Sequence, residues 1–299
     1  MLYNNLSGYL KAKYNKKIGK ICIDAGFTCP NRDGRCGTGG CIFCGERGAG
    51  EHIDGSESIR EQVSAGLAHG KHEGYIAYFQ NFTNTYANTD VLKRKYDSAL
   101  FDQRIVALAI GTRPDCITDE IAALIATYND KLDVWVELGL QSASDKTSKL
   151  IGRGYKTEVF AEAVKILKKY SIPFVVHMII GLPSESREDV LSTLHLINEC
   201  GAFGIKIHSI YVMKNTRLEK LYLKNLYTPP TFEEYTSLCA ECIARLNPDI
   251  VVHRLTGDCP RDLLVAPEWN RDKNATLRRI NEILKEKGQR QGSCYKKAD

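Results

Sequence analysis

Residues 26–48 read GFTCPNRDGRCGTGGCIFCGERG and follow a short apolar run, residues 20–24, that is typical of a β-strand. The segment contains four cysteines, at positions 29, 36, 41 and 44. Its many glycines allow the backbone to wrap closely around an inorganic centre and to aim N–H groups at thiolates. The segment therefore predicts a metal site at the end of a first strand.

Two kinds of metal centre are compatible with this segment. Four cysteines can form a closed, tetrahedral zinc site that only stabilises the fold. Three cysteines can instead hold an iron–sulfur cluster in which one iron stays open to a ligand. The position directly after a strand favours the reactive cluster, because ligands of parallel sheets bind at the carboxyl ends of the strands.

Apolar runs bounded by glycine, proline or polar residues predict six strands, at residues 20–24, 75–80, 105–111, 134–140, 174–181 and 205–212. Amphipathic patterns between them predict helices, with Thr118 as an N-cap and Ser186 with Asp189 as a capping box. Strands that alternate with helices imply an α/β fold, a parallel sheet either open or curled into a barrel.

The alternation fades beyond about residue 215. Helix patterns cover residues 231–246 and 272–287, and one apolar stretch at residues 250–255 separates them. We interpret residues 15–215 as the barrel domain and residues 216–299 as an extension packed on the barrel.

The composition is that of a globular protein, with 43% hydrophobic and 26% charged residues in a chain of 299. The absence of a membrane-length apolar run and of a signal peptide predicts a cytoplasmic protein. In a reducing compartment, eleven cysteines indicate metal or redox chemistry rather than disulfides. A net charge of +5 is mild, so two basic clusters (lysines 11–20 and residues 271–297) do not by themselves predict nucleic-acid binding.

The cysteine segment resembles the cluster loop of the radical S-adenosylmethionine (SAM) superfamily, in the branch related to the Elongator catalytic subunit. In that branch a longer first gap, within CPNRDG…GGC-x-FC, replaces the usual short spacing of the cysteines. The resemblance implies a partial (βα)6 barrel with a C-terminal helical extension. It also implies a 4Fe–4S cluster held by Cys29, Cys41 and Cys44, with Cys36 outside the ligand pattern.

The resemblance continues along the chain, in YFQNFTNTYA (78–87), GTRPDC (111–116), WVELGLQSASDKTSKLIGRG (135–154) and HMIIGLPSE (177–185). It implies that SAM is a cofactor and is contacted from the ends of successive strands. The implied SAM contacts are Gln80, Asn81, Thr83, Asn84, Glu137, Gln141, Arg153 and His177. Taken one at a time, these residues are also compatible with turn-forming or surface roles.

Candidate substrate residues come from strand ends and the C-terminal extension: Asp24, Tyr211, Arg254 and Asp258 for binding, and Lys206, His208 and Asp258 for catalysis. Lys206 and His208 alternate along one strand and so point the same way, where charge is costly unless it faces a cavity or a partner. Pairing within a polar layer of the barrel remains the alternative. A second C-x-x-C, Cys239 and Cys242, lies in a helical pattern that favours core packing.

The segment VVHRLTGDCPRDLLVAPEW (251–269) resembles the C-terminal signature of a smaller subgroup. That resemblance implies a carbon–nitrogen lyase for a small molecule, the modified deazaguanine base queuine, in queuosine salvage. An electron donor such as flavodoxin or ferredoxin is implied as well. The alternatives are a radical enzyme that modifies tRNA or another RNA, and a zinc-stabilised binding protein without catalysis.

Overall fold

A computed structural model describes residues 2–48, 50, 51, 53 and 55–297. The helices are α1 (Leu6–Tyr14), α2 (Ile59–His69), α3 (Thr89–Ala99), α4 (Asp119–Ala126), α5 (Asp145–Leu150), α6 (Thr157–Lys169), α7 (Arg187–Glu199), α8 (Arg217–Leu223), α9 (Phe232–Arg245) and α10 (Lys273–Glu286). The strands are β1 (Ile18–Ile23), β2 (Gly74–Phe79), β3 (Ile105–Thr112), β4 (Asp133–Gln141), β5 (Phe174–Ile180), β6 (Gly204–Ser209), β7 (Val212–Met213), β8 (Val251–Arg254) and β9 (Leu264–Ala266).

The main sheet is parallel throughout and follows the order β1-β2-β3-β4-β5-β6-β8. It curls into a partial barrel with helices on its outer face, which confirms the predicted fold class. The last strand, β8, comes from the predicted extension and pairs with β6, with α9 between them along the chain. The sheet therefore has one strand more than the six predicted units.

Local sequence explains where the helices begin. The side chain of Thr118 accepts a hydrogen bond from the backbone N–H of Ile121 at the start of α4. Ser186 and Asp189 form a reciprocal capping box at the start of α7, as their spacing predicts. The apolar faces of these helices pack on the outer face of the sheet in the largest hydrophobic core.

The inner face of the sheet is divided into an apolar floor and a polar layer. Leu10 of α1 packs against Ile76, Trp135 and Val175, and Tyr9 of α1 stacks edge-on against Phe203 at 5.3 Å between ring centroids. Helix α1 thus fills the amino end of the half-barrel with apolar side chains. Further along the strands the inner face carries polar side chains, toward the carboxyl end where ligands of parallel sheets bind.

The C-terminal part packs on both the sheet and the barrel mouth. Strands β7 and β9 form a small antiparallel pair. Cys239 and Cys242 on α9 are fully buried in the core, in agreement with the packing role predicted for them. Within the described residues, no helix has both the length and the hydropathy needed to cross a membrane.

Candidate active site

A cavity of about 230 Å³ lies at the carboxyl ends of the strands. Strands β2 to β6 and β8 contribute to its wall, together with the cysteine loop. The predicted site residues that line it are Cys29, Cys41, Cys44, Gln80, Thr83, Glu137, Gln141, Arg153, His177, Lys206, His208, Tyr211, Arg254 and Asp258. One cavity therefore brings together residues that are spread over 230 positions of the sequence.

The cysteine loop closes one end of this cavity. Cys29, Cys41 and Cys44 all line it, whereas Cys36 is exposed and lies 3.7 Å from an Asp115 carboxylate oxygen. Among the described residues, no three His, Cys, Asp or Glu side chains converge on a point in the way that a single metal ion requires. Three thiols around one cavity end instead fit a cluster of several irons.

Neighbouring side chains hold the cysteine loop in shape. Asn31 donates to the Gly152 carbonyl at 2.6 Å and to the Cys41 sulfur at 3.7 Å. Arg32 donates to the Gly45 carbonyl at the other end of the loop. Gly40 adopts a φ of +75°, a left-handed conformation that favours glycine directly before Cys41.

The surroundings of Cys41 favour its thiolate. A hydrogen bond with the Cys44 thiol lowers the pKa of Cys41 against the opposing effect of burial, and the same hydrogen bond together with burial raises the pKa of Cys44 well above its usual value. The guanidinium groups of Arg113 and Arg153 and the Asn31 amide act in the same direction. Because thiolates are the ligands of iron, this environment also fits an iron–sulfur cluster.

Two residues of the predicted cofactor wall have a left-handed backbone. Phe82 has a φ of 61° and Gln141 a φ of 59°, and both line the cavity. This conformation is costly for non-glycine residues and persists where surrounding contacts impose it, often at ligand-binding sites. Here the left-handed conformation directs the chain into the cavity at the ends of β2 and β4.

Thr83 has a buried hydroxyl that no protein group satisfies. Its side chain is 1% exposed and lines the cavity, and its Oγ1 has no hydrogen-bond partner within the described residues. A buried hydroxyl left unpaired costs on the order of 1–3 kcal/mol. The unpaired group therefore indicates a polar ligand in this part of the cavity.

Three predicted contact residues do not line the cavity. Asn84 donates to the Phe79 and Gly111 carbonyls, at 3.1 and 2.8 Å, and so joins the ends of β2 and β3. Asn81 donates to Asp24 at 2.6 Å, and Asp24 also pairs with Arg47 at 3.1 Å. These donors connect the loops beside the cavity, while the side-chain oxygens of Asn81 and Asn84 have no hydrogen-bond partner within the described residues. The roles of Asp24, Asn81 and Asn84 as SAM or substrate contacts stay predictions.

Arg153, a predicted SAM contact, lines the cavity while its guanidinium is bonded to the protein. This guanidinium is 1% exposed and donates to the backbone carbonyls of Leu140, Ser142 and Tyr155 and to the Thr157 hydroxyl. All of its nitrogens are engaged with the protein, so no donor remains for SAM. Arg153 instead ties the end of β4 to the loop before α6.

Glu137 is the centre of a buried ionic group. One of its carboxylate oxygens contacts Lys206 and lies 2.8 Å from His177 Nε2, and the other lies 3.3 Å from the Trp135 indole nitrogen. Burial acts to raise the pKa of Glu137, but Lys206 and His177 outweigh it and hold the pKa well below its usual value. The Glu137 carboxylate, which is predicted to contact SAM, is therefore already paired with Lys206.

The basic partners of Glu137 have low proton affinity. Burial lowers the pKa of Lys206 to about 7, although Glu137 opposes the shift. Burial and the charge of Lys206 lower the pKa of His177 to about 4, and the pKa of His208 is also well below its usual value. Both imidazoles are neutral at neutral pH, so each can donate and accept a hydrogen bond.

The C-terminal segment contributes another part of the cavity wall. Arg254 at the end of β8 lies 3.2 Å from an Asp258 oxygen, and Lys273 contacts the other oxygen of Asp258. His208 Nε2 is buried with no hydrogen-bond partner in the described structure, although it lines the cavity. This side of the cavity thus presents a charged pair, a neutral imidazole and the phenol of Tyr211.

Two family models match adjoining parts of the chain. The model described as radical SAM superfamily matches residues 32–197, and the radical SAM C-terminal domain model matches residues 202–286. The chain belongs to the radical SAM superfamily. The first match begins three residues after Cys29 and includes Cys41, Cys44 and the cavity wall as far as β5, and the segment carrying Arg254 and Asp258 lies in the second.

Radical SAM relatives cover all or part of the chain. The Bacillus subtilis protein YtqA is 35% identical over 99% of this chain and 94% of its own length. The tRNA uridine(34) acetyltransferase of Dehalococcoides mccartyi is 33% identical over 52% of this chain but only 34% of its own. The solved structure of Elp3 from Methanocaldococcus infernus shares the fold, with a TM-score of 0.68 at 17% identity, covering 92% of this chain and 64% of that chain.

Radical SAM proteins bind a 4Fe–4S cluster and SAM, and the cavity fits both groups. The three thiols fit the cluster, and the unpaired Thr83 hydroxyl fits a polar cofactor beside it. When bound, these two groups supply a 5′-deoxyadenosyl radical, while the protein holds the substrate and excludes water. Membership of this enzyme superfamily argues against the alternative hypothesis of a zinc-stabilised binding protein.

Sequence reasoning did not single out Asn31, Arg113 or Tyr78. Arg113 lines the cavity, donates to the Arg153 carbonyl at 2.9 Å and pairs with Asp115 at 2.7 Å. Tyr78 lies 3.2 Å from the Lys206 ammonium. All three residues lie in quoted motifs. Tyr78 is also two residues before Gln80 on the same face of the strand, so the period-two alternation of β-strands could have indicated it.

We expect Thr83→Val to weaken SAM binding about fivefold, because one hydrogen bond contributes about 1 kcal/mol. Iron content should not change, since Thr83 is not a proposed ligand. Thr85→Val is the matched control, because the Thr85 hydroxyl is already satisfied by Thr112 and the Cys116 carbonyl. Equilibrium binding of SAM to the anaerobic protein measures the effect. Unchanged SAM affinity with increased stability in Thr83→Val would show that no cofactor group meets this hydroxyl.

Proposed function

We propose that this radical SAM enzyme acts on a flat, polar small molecule, and that the substrate is the modified deazaguanine base queuine. In this proposal the chain is a queuine lyase, which breaks a carbon–nitrogen bond of queuine and releases the aminomethyl deazaguanine base for queuosine salvage. The observation that carries the proposal is a single polar wall. Lys206, His208, Arg254 and Asp258 all line the cavity that the cysteine loop closes.

The chemistry of this wall suits a heterocycle with several donors and acceptors. His208 offers an unpaired buried nitrogen, and Asp258 offers carboxylate oxygens that can accept from an amidine-like N–H edge or a secondary ammonium. A ligand lacking these groups would leave buried polar atoms unpaired, which makes such a site selective. Lys206, His208 and Asp258 are the proposed catalytic residues, and Tyr211 and Arg254 complete the proposed substrate contacts.

The cofactor roles follow from the same cavity. We assign Cys29, Cys41 and Cys44 as cluster ligands, and Gln80, Thr83, Gln141 and His177 as the residues beside SAM. These residues are held in place by neighbouring side chains that are bonded to the surrounding loops: Asp24, Asn81, Asn84 and Arg153. The proposal requires an external electron donor, such as flavodoxin or ferredoxin, and is compatible with the cytoplasm.

A second candidate is a radical SAM enzyme that modifies tRNA. It is favoured by the 33% identity to a tRNA uridine(34) acetyltransferase over about half of this chain. Binding of tRNA at several salt concentrations separates the two candidates, because contacts to phosphates make affinity fall steeply with salt. A specific tRNA complex, with no turnover of the free base, would favour this second function.

Turnover of free queuine tests the first candidate. Incubated with SAM and a strong reductant, the protein should form 5′-deoxyadenosine and the aminomethyl deazaguanine base, both measured by mass spectrometry. Asp258→Asn should lower queuine turnover about 10- to 100-fold, the equivalent of one lost charge-assisted hydrogen bond, and should affect uncoupled SAM cleavage less.

Asp262→Asn is the matched control, because Asp262 is exposed in the same segment and does not line the cavity. It should retain full turnover. Equal formation of 5′-deoxyadenosine with and without queuine, and no deazaguanine product, would contradict the lyase function while leaving the superfamily assignment intact.

A further inference from the structure

Large exposed apolar side chains lie in the two segments that contact the cysteine loop. Among the described residues, four large hydrophobic side chains are exposed: Phe101, Leu150, Leu223 and Leu226. Leu223 and Leu226 are 67% and 71% exposed, by far the most of the four. Three of them belong to two neighbouring segments, the end of α5 and the turn that follows α8. Apolar exposure concentrated in this way is typical of a protein–protein contact.

Both segments are bonded directly to the cysteine loop. The backbone N–H of Ile42 donates to the Ile151 carbonyl at 2.9 Å, one residue after α5. The N–H of Leu218 in α8 donates to the Ile42 carbonyl at 2.8 Å, and Arg217 donates to the Gly40 carbonyl. Gly40 and Ile42 flank Cys41, so the exposed leucines lie on the outside of the loop that carries the proposed cluster ligands.

The interior behind these leucines is apolar and continuous with the loop. Ile42, Ile151 and Leu218 belong to one buried cluster, and Phe43 and Leu221 pack against it. Leu226 is held to α8 by a hydrogen bond from its N–H to the Leu221 carbonyl at 2.9 Å. A partner on this surface would therefore be separated from the cluster loop by a single packed layer.

Basic side chains surround the exposed leucines. Lys214, Arg217, Lys220 and Lys224 are all exposed, and Lys149 is exposed beside Leu150. The acidic residue in this part of α8, Glu219, is half-buried and accepts from the Asn215 backbone N–H at 2.7 Å. The surface thus combines apolar side chains with a local excess of positive charge, which attracts an acidic partner and speeds its association.

We propose that this face, Leu150, Leu223 and Leu226 with Lys220 and Lys224, docks an acidic one-electron carrier protein, which reduces the cluster across the α5–α8 layer. In this step the carrier loses one electron and the cluster gains one; no bond is formed or broken and no proton is required. The proposal rests on the assigned cluster ligands and not on the identity of the substrate. We call these five residues the carrier-docking face.

Binding of an acidic flavodoxin to the cluster-loaded protein tests the carrier-docking face. Leu223→Asp/Leu226→Asp should weaken binding about tenfold or more, because it removes the apolar contact and places two negative charges against an acidic partner. Lys220→Glu/Lys224→Glu should lower the association rate about tenfold at low ionic strength, and less at high salt. Both variants should cleave SAM normally with dithionite, a small reductant that needs no docking surface.

Lys285→Glu/Lys287→Glu at the end of α10 is the matched control for the lysine pair, because it changes net charge by the same amount at exposed positions outside the carrier-docking face. It should bind flavodoxin like the unaltered protein. If the aspartate pair lowers iron content, the milder Leu223→Ser/Leu226→Ser pair decides the result. Unchanged binding in the face variants, or equal loss in the α10 control, would overturn the proposal. A dimer that dissociates in Leu223→Asp/Leu226→Asp would assign the face to a second copy instead.

Discussion

Cys41→Ala, purified without oxygen, is expected to lose nearly all of the visible absorbance of the cluster and nearly all SAM cleavage. The three thiols at the cavity end come from a loop in which Cys41 has the most supporting contacts, from the Cys44 thiol, the Asn31 amide and two guanidinium groups. Cys29→Ala and Cys44→Ala should behave alike, since each removes one proposed ligand. Iron and sulfide assays together with the visible spectrum measure the loss.

Cys36→Ala makes the same substitution in the same loop and is the control. Cys36 is exposed and directed at Asp115 rather than into the cavity, so this variant should keep most of its iron. Asn31→Leu should fall between the two, with cluster retention reduced about 10- to 100-fold, the usual effect of removing a group that supports a metal ligand. A Cys36→Ala protein as colourless as Cys41→Ala would show that the ligand assignment is wrong.

Lys206→Met is expected to lower the free energy of unfolding by about 3–5 kcal/mol, because it leaves the Glu137 carboxylate buried without its cation. Lys206 is 3% and Glu137 1% exposed, so both charges are almost completely withdrawn from bulk solvent. The neutral His177 and the Trp135 indole would remain as hydrogen-bond partners but carry no compensating charge. Urea unfolding of samples with matched iron content measures the difference.

The double variant Lys206→Met/Glu137→Gln separates the charge from the packing. It removes both members of the ion pair while keeping similar volumes, so it should recover most of the stability lost in Lys206→Met. Recovery identifies the uncompensated carboxylate as the cause. If Lys206→Met unfolds at the same urea concentration as the unaltered protein, the pair is not held as the structure shows it, and the polar layer cannot fix Lys206 for catalysis.

The first six strands of the main sheet and its last strand, β8, differ in how well local sequence patterns predict them. Strands β1 to β6 follow from short apolar runs, because a strand buried on both faces needs apolar residues at nearly every position. Strand β8 has four residues and alternates less clearly, so its joining the main sheet depends on pairing with β6, an interaction that no local pattern encodes.

The candidate site divides in a similar way. Alternation along β6 predicts that Lys206 and His208 share a face, and both line the cavity. The same pattern does not predict that Lys206 pairs with Glu137, which lies 69 positions earlier in the sequence. Asn81, Asn84 and Arg153 lie in motifs that lead to the cavity, yet their donors are consumed by nearby carbonyls and by Asp24. The roles of the lining residues stay predictions until the variants are measured.

The sequence by itself predicted the α/β fold class and a metal site after the first strand, because strand–helix alternation, cysteine spacing and glycine content are local properties of the chain. Its resemblance to the radical SAM superfamily implied the cluster and SAM. The tertiary structure alone decided which polar groups are already paired and which remain open to a ligand. Burial and pairing depend on residues distant in sequence, as the saturated Arg153 and the unpaired Thr83 hydroxyl show. The same holds for the leucines beside the cysteine loop, whose exposure follows from how α5 and α8 pack around Ile42.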